Sequence, residues 1–485
     1  MRHRAVSRTG TGPGPAVLAP FAAIVVAMLP AVLDQTILAT ALPTIAGDLG
    51  VLADVSWIVT AYVVAAAATT PLWGKLGDRH GRKRLLEVAL GLFVLASAAC
   101  GLAGDVTTLV AARAVQGVAA GGLMSLAMAA VGDLVEPRER ARFQGFIAAT
   151  FAVATVAGPL VGGGLVEHAD WRWVFYVNLP LGLVALAGLH RFLPSVAPPP
   201  ASERAPLDGA GAALLAGATV ALMLACVWGG DRYAWGSPVI VGLLAGALVL
   251  AVAFLRRERR AQDPVLPLAL LRRRTVAHAS GALFLATSAI FAVMVFVPLM
   301  LQVDTGATPV EAGLLLVPMM VGITVSTSVA GRVIGRTGRY KAFPVGGLAV
   351  MAGALALLGA TAQDASRPLV ALGLMLFGLG FGVVGQVLVA AVQNDVDRRQ
   401  LGVAMAATSF FRGLGGAVGA AVLGAVFAAQ VGTSAHSASP AADVGRATQV
   451  VLLVAAAICV VAVLVAARLD EPPLRSAAPP TGAAA

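Results

Sequence analysis

Gly74-Lys75-Leu76-Gly77-Asp78-Arg79-His80-Gly81-Arg82-Lys83-Arg84 decides the fold, because the stretch has a second copy. That copy is Gly331-Arg332-Val333-Ile334-Gly335-Arg336-Thr337-Gly338-Arg339-Tyr340-Lys341, with glycine, arginine, glycine and arginine at the same four positions. An apolar run precedes each, residues 54–73 and 311–330. About 20 mostly apolar residues suffice for a helix to cross about 30 Å of hydrocarbon. Working outward from the two copies gives fourteen such runs: 17–43, 54–73, 84–103, 107–132, 143–165, 173–193, 208–228, 237–255, 276–300, 311–330, 342–361, 368–391, 403–428 and 448–467. The copies follow runs 2 and 10. The chain therefore reads as an all-α membrane protein of two related six-helix halves with two additional helices between them.

The organisation expected is an N-terminal bundle over 17–193, linkers and two extra helices over 194–275, a C-terminal bundle over 276–468 and a short tail over 469–485. The linkers are the proline-rich Pro194–Pro206 and the basic Arg256–Arg274. Proline-rich linkers are stiff spacers, and the basic blocks suit anionic lipid headgroups. Duplication of this kind marks secondary transporters, whose substrates bind near the midplane between repeats.

Composition agrees. Of 485 residues, 59% are hydrophobic and only 12% charged, with mean hydropathy +0.87. A soluble domain has about a quarter of its residues charged, so soluble, disordered, collagen-like and disulfide-framework classes are excluded. The net charge of +10 would suggest nucleic acid in a soluble chain, but 28 of the 34 Lys and Arg fall in alternate loops. The opposite loops hold Arg172, Arg232, Arg367 and Arg446. By the positive-inside rule both termini lie in the cytoplasm, and no nucleic-acid partner is needed. The N-terminal run resembles a signal peptide, with Ala39-Thr40-Ala41 as a cleavage site, but it is long and contains Asp34, so it reads as a retained helix. Cys100, Cys226 and Cys459 sit in apolar runs and form no metal pattern.

Polar groups inside the runs are costly there and point to function. Asp34 is the carboxylate well inside a run, and either carries a proton, pairs with a cation or bonds a neighbouring helix. Burial favours its neutral form and a nearby arginine its charged form. Arg113 shares a helical face with Gln116, Gly117, Ala120 and Gly121, and Asp34 is its candidate partner. Arg412 shares a face with Gly415, Gly416 and Gly419, and reads either as functional or as snorkelling to the cytoplasmic end. Ala154, Gly158 and Gly162 recur at four-residue spacing beside Pro159. Such small residues permit close helix packing, and the proline suits a pliable helix. Gly74, Asp78, Arg79, Gly81 and Arg82 form a candidate gating loop, with Asp78 and Arg82 able to latch the halves on the inside. His278 reads as interfacial. No P-loop, metalloprotease motif or catalytic triad appears, so the chain does not read as an enzyme or an ATP-driven pump.

Taken together, Leu33-Asp34-Gln35-Thr36-Ile37, Ser56-Trp57-Ile58-Val59-Thr60-Ala61-Tyr62, the Gly74–Arg84 stretch, Arg113-Ala114-Val115-Gln116-Gly117, Gly158-Pro159-Leu160-Val161-Gly162-Gly163, Trp171-Arg172-Trp173-Val174-Phe175-Tyr176-Val177-Asn178, Pro264-Val265-Leu266-Pro267-Leu268 and Phe411-Arg412-Gly413-Leu414-Gly415-Gly416 carry a resemblance over nearly the whole chain. The sequence resembles the drug:proton antiporter branch of the major facilitator superfamily with fourteen spanning helices. The resemblance implies export of hydrophobic, often cationic, small molecules such as drugs or antibiotics across the cytoplasmic membrane, driven by proton influx. It ties Asp34 to coupling or cation recognition, Arg113 to proton transfer, and Gly158 and Pro159 to antiport. Ala154 departs from the glycine common at that motif position. No cofactor is expected. The expected partners are substrate, protons and the lipid bilayer, with the chain acting as a monomer. Tyr62, Phe291 and Gln386 are candidate pocket-lining residues. A dedicated exporter of one metabolite or antibiotic is the alternative, ahead of a nutrient importer.

Overall fold

The structure, a computed structural model, describes residues 15–49, 56–136, 139–195, 206–305, 314–362, 366–433 and 440–473. The centre of the proline-rich linker, most of the tail, and Arg2, Arg4, Arg8, Arg138, Arg204 and Arg475 lie outside the described residues. The described chain is helical and has no strand, only a single isolated bridge between Gly229 and Tyr233.

Fourteen described helices are long and apolar enough to cross a membrane. They are α1 (Pro15–Asp48), α2 (Ser56–His80), α3 (Arg82–Gly101), α4 (Val106–Leu134), α5 (Arg140–His168), α6 (Trp173–Phe192) and α7 (Gly209–Trp228). Then come α8 (Pro238–Glu258), α9 (Arg274–Val303), α10 (Val317–Thr337), α11 (Ala342–Ala360), α12 (Arg367–Asp395), α13 (Leu401–Thr433) and α14 (Pro440–Ala467). In hydrocarbon every backbone N–H and C=O must be satisfied within the segment, which a helix does. The same demand explains why α1 runs through Pro20, Pro30 and Pro43, and α5 through Pro159. In α9 the helix widens to a π turn over Ala292–Phe296.

The duplication is visible in the packing. In the first six helices α1 packs on α4, α5 and α6, while α4 takes α2 and α3, and α3 meets α6. In the last six, α9 packs on α12, α13 and α14, while α12 takes α10 and α11, and α11 meets α14. Glycines repeat too. Methyls on Gly117 and Gly121 of α4 would strike the Tyr62 and Ala66 carbonyls of α2. Methyls on Gly378 and Gly382 of α12 would strike the Met319 and Ile323 carbonyls of α10. Without large side chains, backbones approach closely enough for dispersion to hold the pair.

The halves meet through α2 against α13 and α5 against α10. Helices α7 and α8 pair with each other, and α7 lies on both α2 and α13. The expected loop over 74–84 is much shorter than its composition suggests. Helix α2 continues to His80 and α3 begins at Arg82. Gly81 alone makes the turn, at φ 92°, where a side chain would be strained. Gly338, its counterpart, ends α10 at φ 70°. The charged residues on either side of Gly81, Asp78 and Arg82, find partners without leaving their helices.

Candidate functional site

Asp34 and Arg113 are brought together in the middle of the N-terminal bundle. Arg113 Nη1 donates to Asp34 Oδ2 at 2.5 Å, and both side chains are 1% exposed. The carboxylate is further held at Oδ1 by Gln116 Nε2 at 2.9 Å and Asn178 Nδ2 at 3.1 Å. Gln116 and Asn178 also converge on Ser97 Oγ, at 2.7 and 2.9 Å. The guanidinium has two further acceptors, Gln116 Oε1 at 2.7 Å and the Ile58 carbonyl at 3.1 Å. Its central carbon lies 4.3 Å from the centre of the Tyr62 ring, a cation–π arrangement.

Five helices build this centre: α1 supplies Asp34, α2 Ile58 and Tyr62, α3 Ser97, α4 Arg113 and Gln116, and α6 Asn178. The side chains come from the N-terminal half alone. An ion pair in such surroundings survives desolvation only when its remaining donors and acceptors are occupied, and here they nearly all are. The exception is Asn178 Oδ1, which is buried without a partner. The donor set suits an anionic carboxylate. A proton on Asp34 would remove the charge that holds Arg113, yet leave the guanidinium with Gln116 Oε1 and the Ile58 carbonyl. The cluster can therefore exist in two charge states without orphaning its arginine.

Helix α5 buttresses the carboxylate's own helix. A methyl on Gly158 would strike Thr36, and one on Gly162 would strike Thr40 and the Ile37 carbonyl. Ala154 is buried, and its carbonyl takes a long bond from Thr36 Oγ1 at 3.5 Å. Pro159 lies at the surface of α5.

A second cluster closes the end of the bundle that carries the basic loops. Asp78 Oδ1 and Oδ2 accept from the N–H groups of Gly402 and Val403 at 2.8 and 2.9 Å. One carboxylate of the first half thus caps the first turn of α13 in the second, where unpaired amides and the helix dipole favour negative charge. Arg82 completes the latch. It bonds Asp78 Oδ1 at 2.7 Å, the Arg398 carbonyl at 2.7 Å, and Asp133 at the end of α4. Gly74 lies directly against Gly402 and Ala406.

Arg79, expected in the gate, instead pairs with Asp263 in the α8–α9 linker, as does Lys75. Two residues not singled out in the sequence add to the seal. Arg140 Nη1 donates to the Gln393 carbonyl at 2.5 Å and Nη2 to the Gly132 carbonyl at 2.6 Å. Gln393 Nε2 donates to the Met128 carbonyl at 2.9 Å. Both cross between halves.

The remaining candidates lie elsewhere. Tyr62, expected to line a pocket, is instead buried under Arg113, with its hydroxyl 3.3 Å from the Ala31 carbonyl. Phe291 and Gln386 are half-buried, and Phe291 leans on Phe296 at the π turn. Arg412 is half-buried within α13, and its carbonyl accepts from Thr287 Oγ1 of α9 at 2.9 Å. It stands well inside the latch rather than at the end of its helix. Asn178 and Ser97 were missed as site residues. Asn178 stands in a quoted motif at the break between short helical pieces, which was the available signal. Ser97 carried none, since a lone serine in a span normally bonds its own backbone.

Known proteins resemble this chain in sequence and in fold. The family profile of the Major Facilitator Superfamily matches residues 24–216 and 207–420. The uncharacterized MFS-type transporter Rv1877 of Mycobacterium tuberculosis is 40% identical over 84% of this chain and 59% of its own length. The chain thus spans somewhat over half of that relative. The multidrug transporter protein MdtP of Bacillus subtilis is 36% identical, covering 84% of this chain and 75% of its own. Among solved structures, the human organic anion transporter MFSD10 superposes with a TM-score of 0.66 at 19% identity, over 92% of this chain and all of that one. The proton:xylose symporter XylE gives 0.66 at 15% identity, over 92% and 94%. At such identities these two share the fold.

Proposed function

Because the chain belongs to the major facilitator superfamily, we propose that it exports hydrophobic small molecules, drugs or antibiotics among them, in exchange for protons entering the cell. The name of MdtP, a multidrug transporter protein, supports drug-like cargo, and relatives named as efflux pumps support export. The observation that carries the coupling is the buried carboxylate of Asp34, held by Arg113, Gln116 and Asn178. It is a charge that a proton can cancel, at a depth where charge is expensive.

We take the basic end as cytoplasmic, with both termini there, following the positive-inside rule. In that orientation the latch of Asp78 and Arg82 closes the inside, and this is the outward-facing form. A proton arriving from outside neutralises Asp34 and frees it from Arg113. The loosened α1 shifts against α5 at Gly158 and Gly162, the halves rock, and Asp78 leaves the end of α13. The proton departs inward, Asp34 recovers its charge, and substrate loads for the return. No cofactor or ATP enters this cycle. One chain completes it in the bilayer, without nucleic acid.

The resemblance implies substrates that are often cationic and ties Asp34 to coupling or cation recognition. In this form the carboxylate is engaged by three donors from its own bundle, and it offers no free oxygen to a cation.

The reading is tested with inverted membrane vesicles and a panel of fluorescent hydrophobic compounds. Uptake should follow an imposed acid-inside gradient without ATP and collapse when nigericin dissipates it. Uptake that requires ATP after the gradient is gone would refute antiport.

A further inference from the structure

We infer that Arg412 is a recognition site for an anionic group on the substrate, so that the preferred cargo is a hydrophobic carboxylate rather than a cation. The inference rests on the export reading above and names the substrate class for it.

Helix α13 is fixed in rotation by α9. Methyls on Gly415 and Gly419 would strike Phe284 and Ser288, while Ser288 Oγ donates to the Gly415 carbonyl at 2.8 Å and Thr287 Oγ1 to the Arg412 carbonyl at 2.9 Å. At 3.6 residues per turn Arg412 then lies about 60° round the helix from Gly415 and about 20° from Gly419, at the edge of the α9 contact towards Ser409 and Gly416. Phe410, Leu414 and Val418 occupy the opposite side. Methyls on Gly413 and Gly416 would meet nothing within 4 Å, so there is room beside the arginine.

Arg412 is half-buried as a residue, and among the described residues nothing bonds or pairs with its guanidinium. Its depth is considerable. Ten residues separate it from the Gly402 amide at the latch, about 15 Å along the helix. That is further than the side chain extends, so it does not snorkel to the basic end. Turned to lipid at this depth it would cost at least about 2.5–3.5 kcal/mol. Its open side, beside Gly413 and Gly416, is therefore taken as the interior between the halves.

The charges of the interior are consequently unequal. The mid-span acid, Asp34, is sealed inside its bundle by Arg113, Gln116 and Asn178. The mid-span base, Arg412, is open. A cation entering this space meets a like charge and, among the described residues, no free carboxylate. A carboxylate meets a planar fork of donors suited to bidentate pairing. An anion leaving a cell is also helped by the inside-negative potential, by about 2.3 kcal/mol per charge per 100 mV.

The test uses the purified full chain in nanodiscs and three fluorescent probes sharing one dansyl group: dansyl-leucine (a carboxylate), dansyl-leucinamide (its neutral counterpart) and dansyl-cadaverine (a cation). Fluorescence enhancement at equilibrium gives Kd without any gradient, so failure here is separable from failure of proton coupling in vesicles. The wild type should bind dansyl-leucine at least tenfold more tightly than either other probe. In Arg412→Gln the ratio of carboxylate to amide should fall to about one, with amide affinity changed less than twofold. Arg412→Lys should keep part of the preference. The inference is overturned if the amide or the cation binds as tightly as the carboxylate in the wild type. It is equally overturned if the preference survives in Arg412→Gln, or if dansyl-leucine shows no saturable binding.

Discussion

Arg113 is satisfied by Asp34, Gln116 and the Ile58 carbonyl at once, and this decides what happens when one partner is lost. Removing the carboxylate charge leaves the arginine two acceptors. Removing the arginine leaves a buried carboxylate with only two amide donors. We therefore expect Arg113→Ala to destabilise the protein by about 3–5 kcal/mol, the usual cost of an uncompensated buried charge. Asp34→Asn should cost less, and adding it to Arg113→Ala should recover part of the loss. Thermal unfolding of the detergent-solubilised single and double variants measures this coupling; additive losses would contradict it. At this scale the sequence was half legible. Asp34 and Arg113 stood out because charge inside a span is costly and therefore seldom accidental. Ser97 and Asn178 are neutral, cost less than a charge inside a span, and stood out less. Tyr62 was placed on the wrong surface, because an aromatic ring suits a pocket wall and a cation–π platform equally.

Helix α5 meets α1 through bare backbone at Gly158 and Gly162, whereas Gly163 and Gly164 face open space. Gly162→Val should therefore cost about 1–3 kcal/mol through overpacking against Thr40 and Ile37, and Gly163→Ala should cost nothing measurable. A comparison of melting temperatures checks both, and equal losses would mean that α5 does not rest on α1 as described. Gly81 differs in kind. Its positive φ is the reason that α2 and α3 turn in one residue, so Gly81→Ala should cost about 1–3 kcal/mol in backbone strain, read in the same assay. The small-residue spacing of α5 was legible in the sequence because spacing survives translation into a helical face. Helix ends were less so. The 74–84 stretch is polar and rich in glycine, which reads as loop, but Asp78 and Arg82 stay helical by finding partners on α13 and α4. The π turn of α9 left no trace, since its whole neighbourhood is apolar.

For the whole molecule, the duplicated loop gave the two halves, and the charge alternation gave a basic end. The sequence could not give the closure of that end, because the partners of Asp78 are backbone amides of Gly402 and Val403, which no side-chain pattern marks. Nor did it place α7 over the α2–α13 seam, because a helix apolar on all sides advertises no face. The asymmetry of the latch was legible, with Gly335 where the first copy has Asp78. Loss of that one carboxylate should free the start of α13. In Asp78→Ala the Gly402 and Val403 amides should exchange hydrogen at least tenfold faster than in the wild type, as read by mass spectrometry on the solubilised protein. Unchanged protection would mean that Asp78 does not hold the halves.

The central claim is that Asp34 carries the proton exchanged for substrate. Its most direct test is proton release from acid-loaded inverted vesicles on addition of substrate, comparing wild type with Asp34→Asn. Asparagine keeps the shape and an acceptor for Arg113, so the fold should persist while the titratable group is gone. The account predicts substrate-triggered release in the wild type and a loss of at least tenfold in Asp34→Asn, with the variant still binding substrate. Release of equal size from both would contradict it and move the coupling site away from Asp34.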